Sequence, residues 1–177
     1  ITTLRKDDGS CSTSEIDITT INIIELLEQE RMKLAKAGFD GIIAADGSDN
    51  LTTTPDKSII IKQLIKEIFG NILKHADPSH GYVITAYVNA STLHISASDT
   101  PLLKNSTSKH PQDNATNNQF GNGTGIRSYQ TRLAALDGEL SASASDDQWT
   151  LEAAIPLMDT DHTDGHHSAG RMRIRLD

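Results

Sequence analysis

Hydrophobic and polar positions alternate along this chain with two different periods, which together predict an order of helices and strands. Residues 20–37 carry apolar side chains on one helical face, and Gly38 is placed as a C-terminal stop. A second helix begins at Thr54-Pro55, where an N-cap residue precedes a proline at the first helical position. A third helix opens at Gly125 and stops at Asp137-Gly138.

Period-two stretches predict the strands. Residues 39–45 form a short strand that ends at the turn dipeptide Asp46-Gly47. Further strands are predicted at residues 82–89, 92–99, 139–145 and 148–155. The first two of these form an antiparallel hairpin, and Pro156 ends the last. The order predicts an α+β fold, a two-layer α/β sandwich whose mixed, mostly antiparallel sheet carries three helices on one face.

Length and composition indicate one domain with polar appendages. The 177 residues, 36% of them hydrophobic, suit a single ordinary core. We expect residues 1–19 to be a linker or the end of an upstream helix and residues 20–157 to be the folded domain. The long polar loop at residues 100–120 is predicted to act as a lid, and residues 158–177 form a polar tail.

Charge and cysteine content exclude several classes of protein. The net charge of −8 and the lack of a Lys/Arg-rich block disfavour nucleic-acid or anionic-membrane partners. No apolar run approaches the roughly 20 residues that a membrane helix needs. The single Cys11 excludes an internal disulfide and fits a reducing compartment. We therefore expect a cytoplasmic domain, and membrane tethering through upstream segments stays open.

The second helix carries a polar strip beside its apolar stripe. The apolar residues, which fall within roughly 100° on a helical wheel, are Ile61, Leu64, Ile65, Ile68 and Ile72. The strip along the edge of this stripe consists of Glu67, Asn71, Lys74 and His75. Asn71 offers a neutral oxygen to Mg²⁺, while Lys74 and His75 can reach phosphate oxygens. Glu67 can orient or deprotonate a nucleophile, or bind a metal-held water.

Two further features fit a nucleoside triphosphate. In the turn Gly121-Asn122-Gly123-Thr124-Gly125, the glycines let backbone N–H groups and a helix N-terminus approach phosphate. Asp99 shares a strand face with Leu93, Ile95 and Ala97, so its carboxylate lies in or beside the core and needs a partner. The exocyclic amine of adenine would supply that partner.

Each feature also has a structural interpretation. The polar strip can be a solvated helix flank, the glycines a flexible loop, and Asp99 a turn cap with Thr100. The tail residues His162, His166 and His167 lie among aspartates, but an unstructured tail explains them better than a metal site. The order of strip, lid and glycine turn along the chain favours the functional interpretation of the first three features.

The motifs resemble those of a known superfamily. Glu67-x-x-x-Asn71-x-x-Lys74-His75-Ala76 resembles the N box of the GHKL ATPases in the form found in sensor histidine kinases. Asp99-Thr100-Pro101 stands where that superfamily has its Asp-x-Gly adenine box. Gly121 to Ile126 resembles its second glycine box, and Arg127 to Leu140 resembles the stretch that follows in kinases paired with helix-turn-helix response regulators.

The resemblance, which covers roughly residues 20–157, implies a Bergerat ATP-binding fold. It further implies ATP and Mg²⁺ as ligands, with Asn71 as the metal ligand and Glu67 as the catalytic residue. Nucleotide contacts would come from Asn71, Lys74, His75, Asp99, Gly121, Gly123, Thr124 and Gly125. The γ-phosphoryl would pass to a histidine on a dimerisation domain and then to a response regulator. The ATP-binding piece alone is expected to be monomeric.

Two departures from the family pattern stand out. Pro101 replaces the glycine of the adenine box, so the backbone there has no N–H and no access to positive φ. None of the seven histidines is followed by Asp or Glu on a long helix, so the acceptor is expected upstream of Ile1 or on another protein. Two alternatives stay open: a stand-alone GHKL serine kinase that also sequesters a transcription factor, of the anti-sigma type, and a degenerate, non-catalytic interaction domain.

Overall fold

The architecture is an α+β sandwich of three helices and a mixed five-stranded sheet, as predicted. The computed structural model describes residues 17–46, 49–102, 124–145 and 147–158. The helices of these ranges are α1 (Ile23–Lys36), α2 (Pro55–His75) and α3 (Thr124–Ala134). Their strands are β1 (Thr19–Ile21), β2 (Gly41–Asp46), β3 (Leu51–Thr53), β4 (Tyr82–Asn89), β5 (Thr92–Asp99), β6 (Glu139–Ala144) and β7 (Trp149–Pro156).

Local sequence signals explain where the first two helices begin and end. The Asn22 side chain accepts a hydrogen bond from the Glu25 N–H at 3.0 Å, which caps α1. Gly38 follows α1 with φ of +88°, a left-handed conformation that glycine adopts without steric cost. Thr54 is extended at the N-cap of α2, and Pro55 occupies the first helical turn.

The five-stranded sheet has the order β2-β4-β5-β7-β6. β2 lies parallel to β4, with α2 in the connection between them, and every other pair is antiparallel. The predicted hairpin of β4 and β5 is confirmed with the same bounds. No helix in the described ranges is long and apolar enough to cross a membrane.

The core lies between the helices and the inner face of the sheet. All five apolar residues predicted for the stripe of α2 are at most 1% exposed. Alternate residues of β5, namely Leu93, Ile95, Ala97 and Asp99, are also buried, which confirms the predicted face. The helices therefore cover one side of the sheet, and side chains on the other side such as Val83 and Tyr87 are exposed.

A second, two-stranded sheet was not predicted. β1 and β3 pair antiparallel, so Thr19 and Thr20 form a strand where the sequence pattern indicated a linker and a helix start. Three-residue strands are too short to show a hydrophobic period, which is why the pattern missed them. The Thr53 hydroxyl donates to the Leu157 carbonyl at 2.6 Å and ties β3 to the segment after β7.

The end of β7 also differs from the prediction. Pro156 belongs to the strand and pairs with Thr92 of β5, whereas the sequence pattern placed it as a stop. On the other side, β6 begins opposite Ala154. Pro156 therefore lies beyond the part of β7 that has neighbours on both sides, a place where a missing N–H is tolerated.

Candidate functional site

The predicted polar strip lies along one flank of α2 at the edge of the core. Glu67, Asn71 and His75 are half-buried, and Lys74 is exposed. Partial burial of three polar side chains beside a fully apolar stripe matches the position on the helical wheel that the sequence predicted. Lys74 and His75 in the last turn also complement the negative end of the helix dipole, so part of their presence has a structural explanation.

The start of α3 lies directly against this strip. A Cβ placed on Gly125 would come within 2.5 Å of the Glu67 Oε1 atom, so a larger residue there would displace the carboxylate from this position. α3 begins at Thr124, one residue earlier, and its 11 residues make it long enough for a useful N-terminal dipole. The structure thus brings the positive end of a helix beside Glu67.

The segment after β5 is held against the end of α2. The Leu102 N–H donates to the His75 carbonyl at 2.7 Å, and the Asp77 N–H donates to the Thr100 carbonyl at 2.8 Å. These bonds flank an isolated antiparallel bridge between Ala76 and Pro101. The pairing fixes the residues that follow Asp99 next to the carboxyl end of the polar strip.

Pro101 takes part in this pairing without the loss of a hydrogen bond. Both hydrogen bonds of the bridge use the groups of its neighbours, the Thr100 carbonyl and the Leu102 N–H, so the missing proline N–H leaves no gap. Pro101 is buried and is absent from the positive-φ residues of the described ranges. The departure from the family pattern is therefore accommodated by the backbone of this chain.

Asp99 is a buried carboxylic acid at the end of β5. Its side chain is 5% exposed, and within the described part of the chain its Oδ1 atom has no hydrogen-bond partner. Burial raises the pKa of Asp99 from 3.8 to about 6, because the charged form loses its hydration. Such a group is poised to accept a hydrogen bond from a ligand donor.

Two aromatic residues, Trp149 and Tyr129, lie close to the residues of the candidate site. Trp149 of β7 lies directly opposite Asp99 in the ladder and is half-buried, so the single tryptophan of the chain reports on this site. Tyr129 lies one turn after Gly125 on α3, and burial together with the Glu67 carboxylate raises the pKa of its hydroxyl. Arg132 places its guanidinium 5.4 Å from the centre of the Tyr129 ring. Both aromatic side chains also pack against the hydrophobic core.

The structure joins the predicted residues in two places. Glu67 meets Gly125, and His75 lies beside the segment that continues from Asp99. Gly121, Gly123 and the part of the predicted lid from residue 103 onward lie outside the described residues, as does the predicted tail from residue 159. In the described ranges no three His, Cys, Asp or Glu side chains cluster as metal ligands.

Several solved structures of histidine kinases share this fold. Histidine kinase AdeS of Acinetobacter baumannii is 12% identical, with a TM-score of 0.57 over 81% of this chain and 68% of that chain. The catalytic domain of histidine kinase ThkA, in a nucleotide-free form, is 16% identical with a TM-score of 0.58 over 81% and 97%. The mycobacterial sensor histidine kinase MprB is 11% identical with a TM-score of 0.56 over 82% and 100%.

These matches establish the fold, which is that of a histidine kinase catalytic domain. The sequence alone matches no model of a known protein family and no curated protein. The likeness therefore lies in the three-dimensional arrangement rather than in overall sequence.

Proposed function

We propose that this chain is the ATP-binding catalytic domain of a two-component sensor histidine kinase. The observation that carries the proposal is the convergence of three separate segments at one end of the sandwich: the flank of α2, the buried Asp99 with the strand-like pairing after it, and the start of α3. A solvated helix flank would not have the start of another helix packed against Glu67, and an ordinary core would not leave the Asp99 Oδ1 atom without a partner among the described residues.

The adenine end of the site is assigned to Asp99. A buried acceptor that lacks a partner within the described residues matches the exocyclic amine of adenine, which is a donor without a charge. The bond would offset the cost of burying the carboxylate. Pairing of Pro101 with Ala76 supports the assignment, because it holds the residues after Asp99 in a fixed position.

The phosphate end is assigned to the strip and to the start of α3. Lys74 and His75 supply cationic or donor groups, and Gly121, Gly123, Thr124 and Gly125 supply backbone N–H groups at a helix N-terminus. Asn71 would hold Mg²⁺ through its amide oxygen, and the ion would neutralise charge on the phosphates when bound. A neutral ligand fits there because an additional carboxylate would repel the polyphosphate.

Catalysis would rest mainly on positioning and charge neutralisation. Glu67, a residue of α2 whose carboxylate lies against Gly125, would orient the attacking imidazole or accept its proton. The acceptor would be a histidine on a dimerisation domain outside residues 20–157, and the phosphoryl group would pass on to a response regulator, by resemblance one of the helix-turn-helix class. We further propose that the domain is monomeric by itself and works in the cytoplasm.

Isothermal titration calorimetry with Mg-ATP tests the site. Replacing Asn71 by Asp should reduce Mg-dependent binding by at least tenfold, roughly 1.4 kcal/mol, because a charged ligand faces the phosphates. Asn89→Asp is the matched control. Asn89 is exposed at the end of β4, so this substitution introduces the same charge away from the site. Circular dichroism should show an unchanged fold in both variants.

The outcomes separate the candidate functions. Unchanged binding in Asn71→Asp would refute the site assignment. A wild-type chain that binds neither Mg-ATP nor ATP without metal would favour the non-catalytic interaction domain. Transfer of radiolabelled phosphate from bound ATP to serine of a partner protein, instead of to histidine, would favour the stand-alone serine kinase.

A further inference from the structure

β2 forms one edge of the sheet in the described part of the chain, and its outward backbone groups have no strand partner there. It pairs only with β4 among the described strands. The Asp40 carbonyl accepts a hydrogen bond from the Tyr82 N–H at 3.2 Å. This bond determines which residues of β2 direct their backbone groups toward β4 and which direct them outward. In a parallel ladder the even residues then point their N–H and C=O groups toward β4, and Ile43 and Ala45 point theirs outward. This edge can therefore accept a further strand.

Between the aspartates at its two ends, the outer face of this edge is apolar. Ile42 is 67% exposed, and its cross-strand partner Val83 is 43% exposed on the same outer face. β2 contains neither lysine nor proline, the residues that commonly block edge pairing. The opposite edge, β6, is different, because its middle residues Ser141 to Ser143 are small and mostly polar.

Charge at the two ends of β2 identifies the kind of partner. Asp40 immediately precedes the strand and Asp46 is its last residue, and both are exposed. Neither carboxylate takes part in an ion pair within the described ranges. A strand with Lys or Arg at both ends and alternating apolar residues between them would complement the edge in charge and in surface.

A second copy of this chain fits less well. Antiparallel pairing of β2 with itself would bring Asp46 of one copy beside Asp40 of the other, and like charges at that spacing repel. The net charge of −8 adds a general repulsion between copies. The occupant favoured by the edge is thus a basic peptide segment from another protein.

We propose that the β2 edge binds an extended peptide segment, which adds as a sixth strand beside Ile43 and Ala45. Basic residues of the segment would pair with Asp40 and Asp46, and an apolar side chain would cover Ile42. The surface lies outside the residues assigned to ATP, so the inference does not depend on the proposed function.

Fluorescence anisotropy with a labelled seven-residue peptide tests this inference. The probe has Lys at both ends and Val alternating with Thr between them. We expect saturable binding that weakens by at least about tenfold when both lysines are replaced by Glu. A version of the probe with N-methyl groups on one edge keeps its charge and loses its ladder donors, so it too should bind at least about tenfold more weakly.

Variants of the chain locate the surface. Ala45→Pro removes an outward N–H and leaves the bonds to β4 in place, so it should abolish peptide binding. Ala45→Ser keeps the N–H and should bind the probe as the wild type does. Ile42→Lys is a second variant on the exposed face, expected to lower the affinity because it removes the apolar contact and repels the basic probe, without the risk to folding that proline carries. Binding of Mg-ATP should be the same in all three.

Two results would overturn the inference. Equal binding of the parent, Glu-substituted and N-methylated peptides would show that no strand is added. A concentration-dependent dimer in sedimentation that Ala45→Pro abolishes would show that a second copy occupies the edge. Failure of ATP binding with peptide binding intact would instead count only against the proposed kinase function.

Discussion

Gly125 of α3 packs against the carboxylate of Glu67 on α2, and a Cβ at Gly125 would come within 2.5 Å of Glu67 Oε1. The contact joins two motifs that lie far apart in the sequence. A side chain at position 125 would clash with the carboxylate in its present position, whatever the backbone conformation of the preceding turn. It also means that a substitution at Gly125 acts on the site through Glu67.

Replacing Gly125 by Ala should therefore displace Glu67. The carboxylate can rotate away, so we expect the gain in helix propensity to be cancelled and the free energy of unfolding to rise little or fall. Gly70→Ala is the matched control: its Cβ would meet nothing within 4 Å, and it should raise the free energy of unfolding by about 0.5–1 kcal/mol. Urea denaturation measures both. Equal stabilisation by the two substitutions would contradict the contact.

Burial of Asp99 makes the stability of the domain depend on pH. The pKa is 3.8 in the unfolded chain and about 6 in the folded one, so the unfolded state releases the proton first. The contribution of Asp99 to stability is complete below about pH 4 and is lost, by about 3 kcal/mol in total, as the pH rises through 6. Asp99→Asn does not titrate. Urea unfolding followed by Trp149 fluorescence should show the wild type losing stability relative to this variant between pH 4 and 6, and parallel curves would refute the assignment.

The same titration should affect nucleotide binding. Above pH 6 the carboxylate is charged and accepts the adenine amine in a charge-assisted bond, which is stronger than the bond to a neutral amide. From pH 5 to pH 7 the wild type should gain about fivefold in ATP affinity relative to Asp99→Asn. The comparison cancels the ionisation of the phosphates, which both proteins share. Quenching of Trp149, directly opposite Asp99, provides the signal. A constant ratio of affinities would place adenine elsewhere.

The sequence pattern predicted most of the fold because its main elements are long and periodic. The stripe of α2 and the alternation of β5 each repeat over several turns or residues, so their buried faces were evident. The strip from Glu67 to His75 followed from that stripe by helix geometry alone. Asp99 was recognised as buried for the same reason.

Long-range contacts could not be predicted in this way. Nothing local indicates that Gly125 meets Glu67, or that the backbone after Asp99 pairs with the end of α2 and thereby tolerates Pro101. Tyr129 has helical spacing typical of a core residue, and its proximity to Glu67 depends on how α3 packs. These features arise from the tertiary arrangement of elements that the sequence specified one at a time.

The last prediction concerns the two-stranded sheet of β1 and β3, which the sequence pattern did not indicate. Thr53 is fully buried, and its hydroxyl donates to the Leu157 carbonyl at 2.6 Å. Thr53→Val keeps the shape but leaves that carbonyl without this donor, so we expect a loss of about 1–3 kcal/mol in the free energy of unfolding. Thr52→Val is the matched control, since Thr52 is exposed in the same strand and the same substitution should change the free energy by less than about 0.5 kcal/mol. Urea denaturation measures the free energy of unfolding of both variants. Equal losses in the two would mean that the Thr53 hydrogen bond does not tie β3 to the segment after β7.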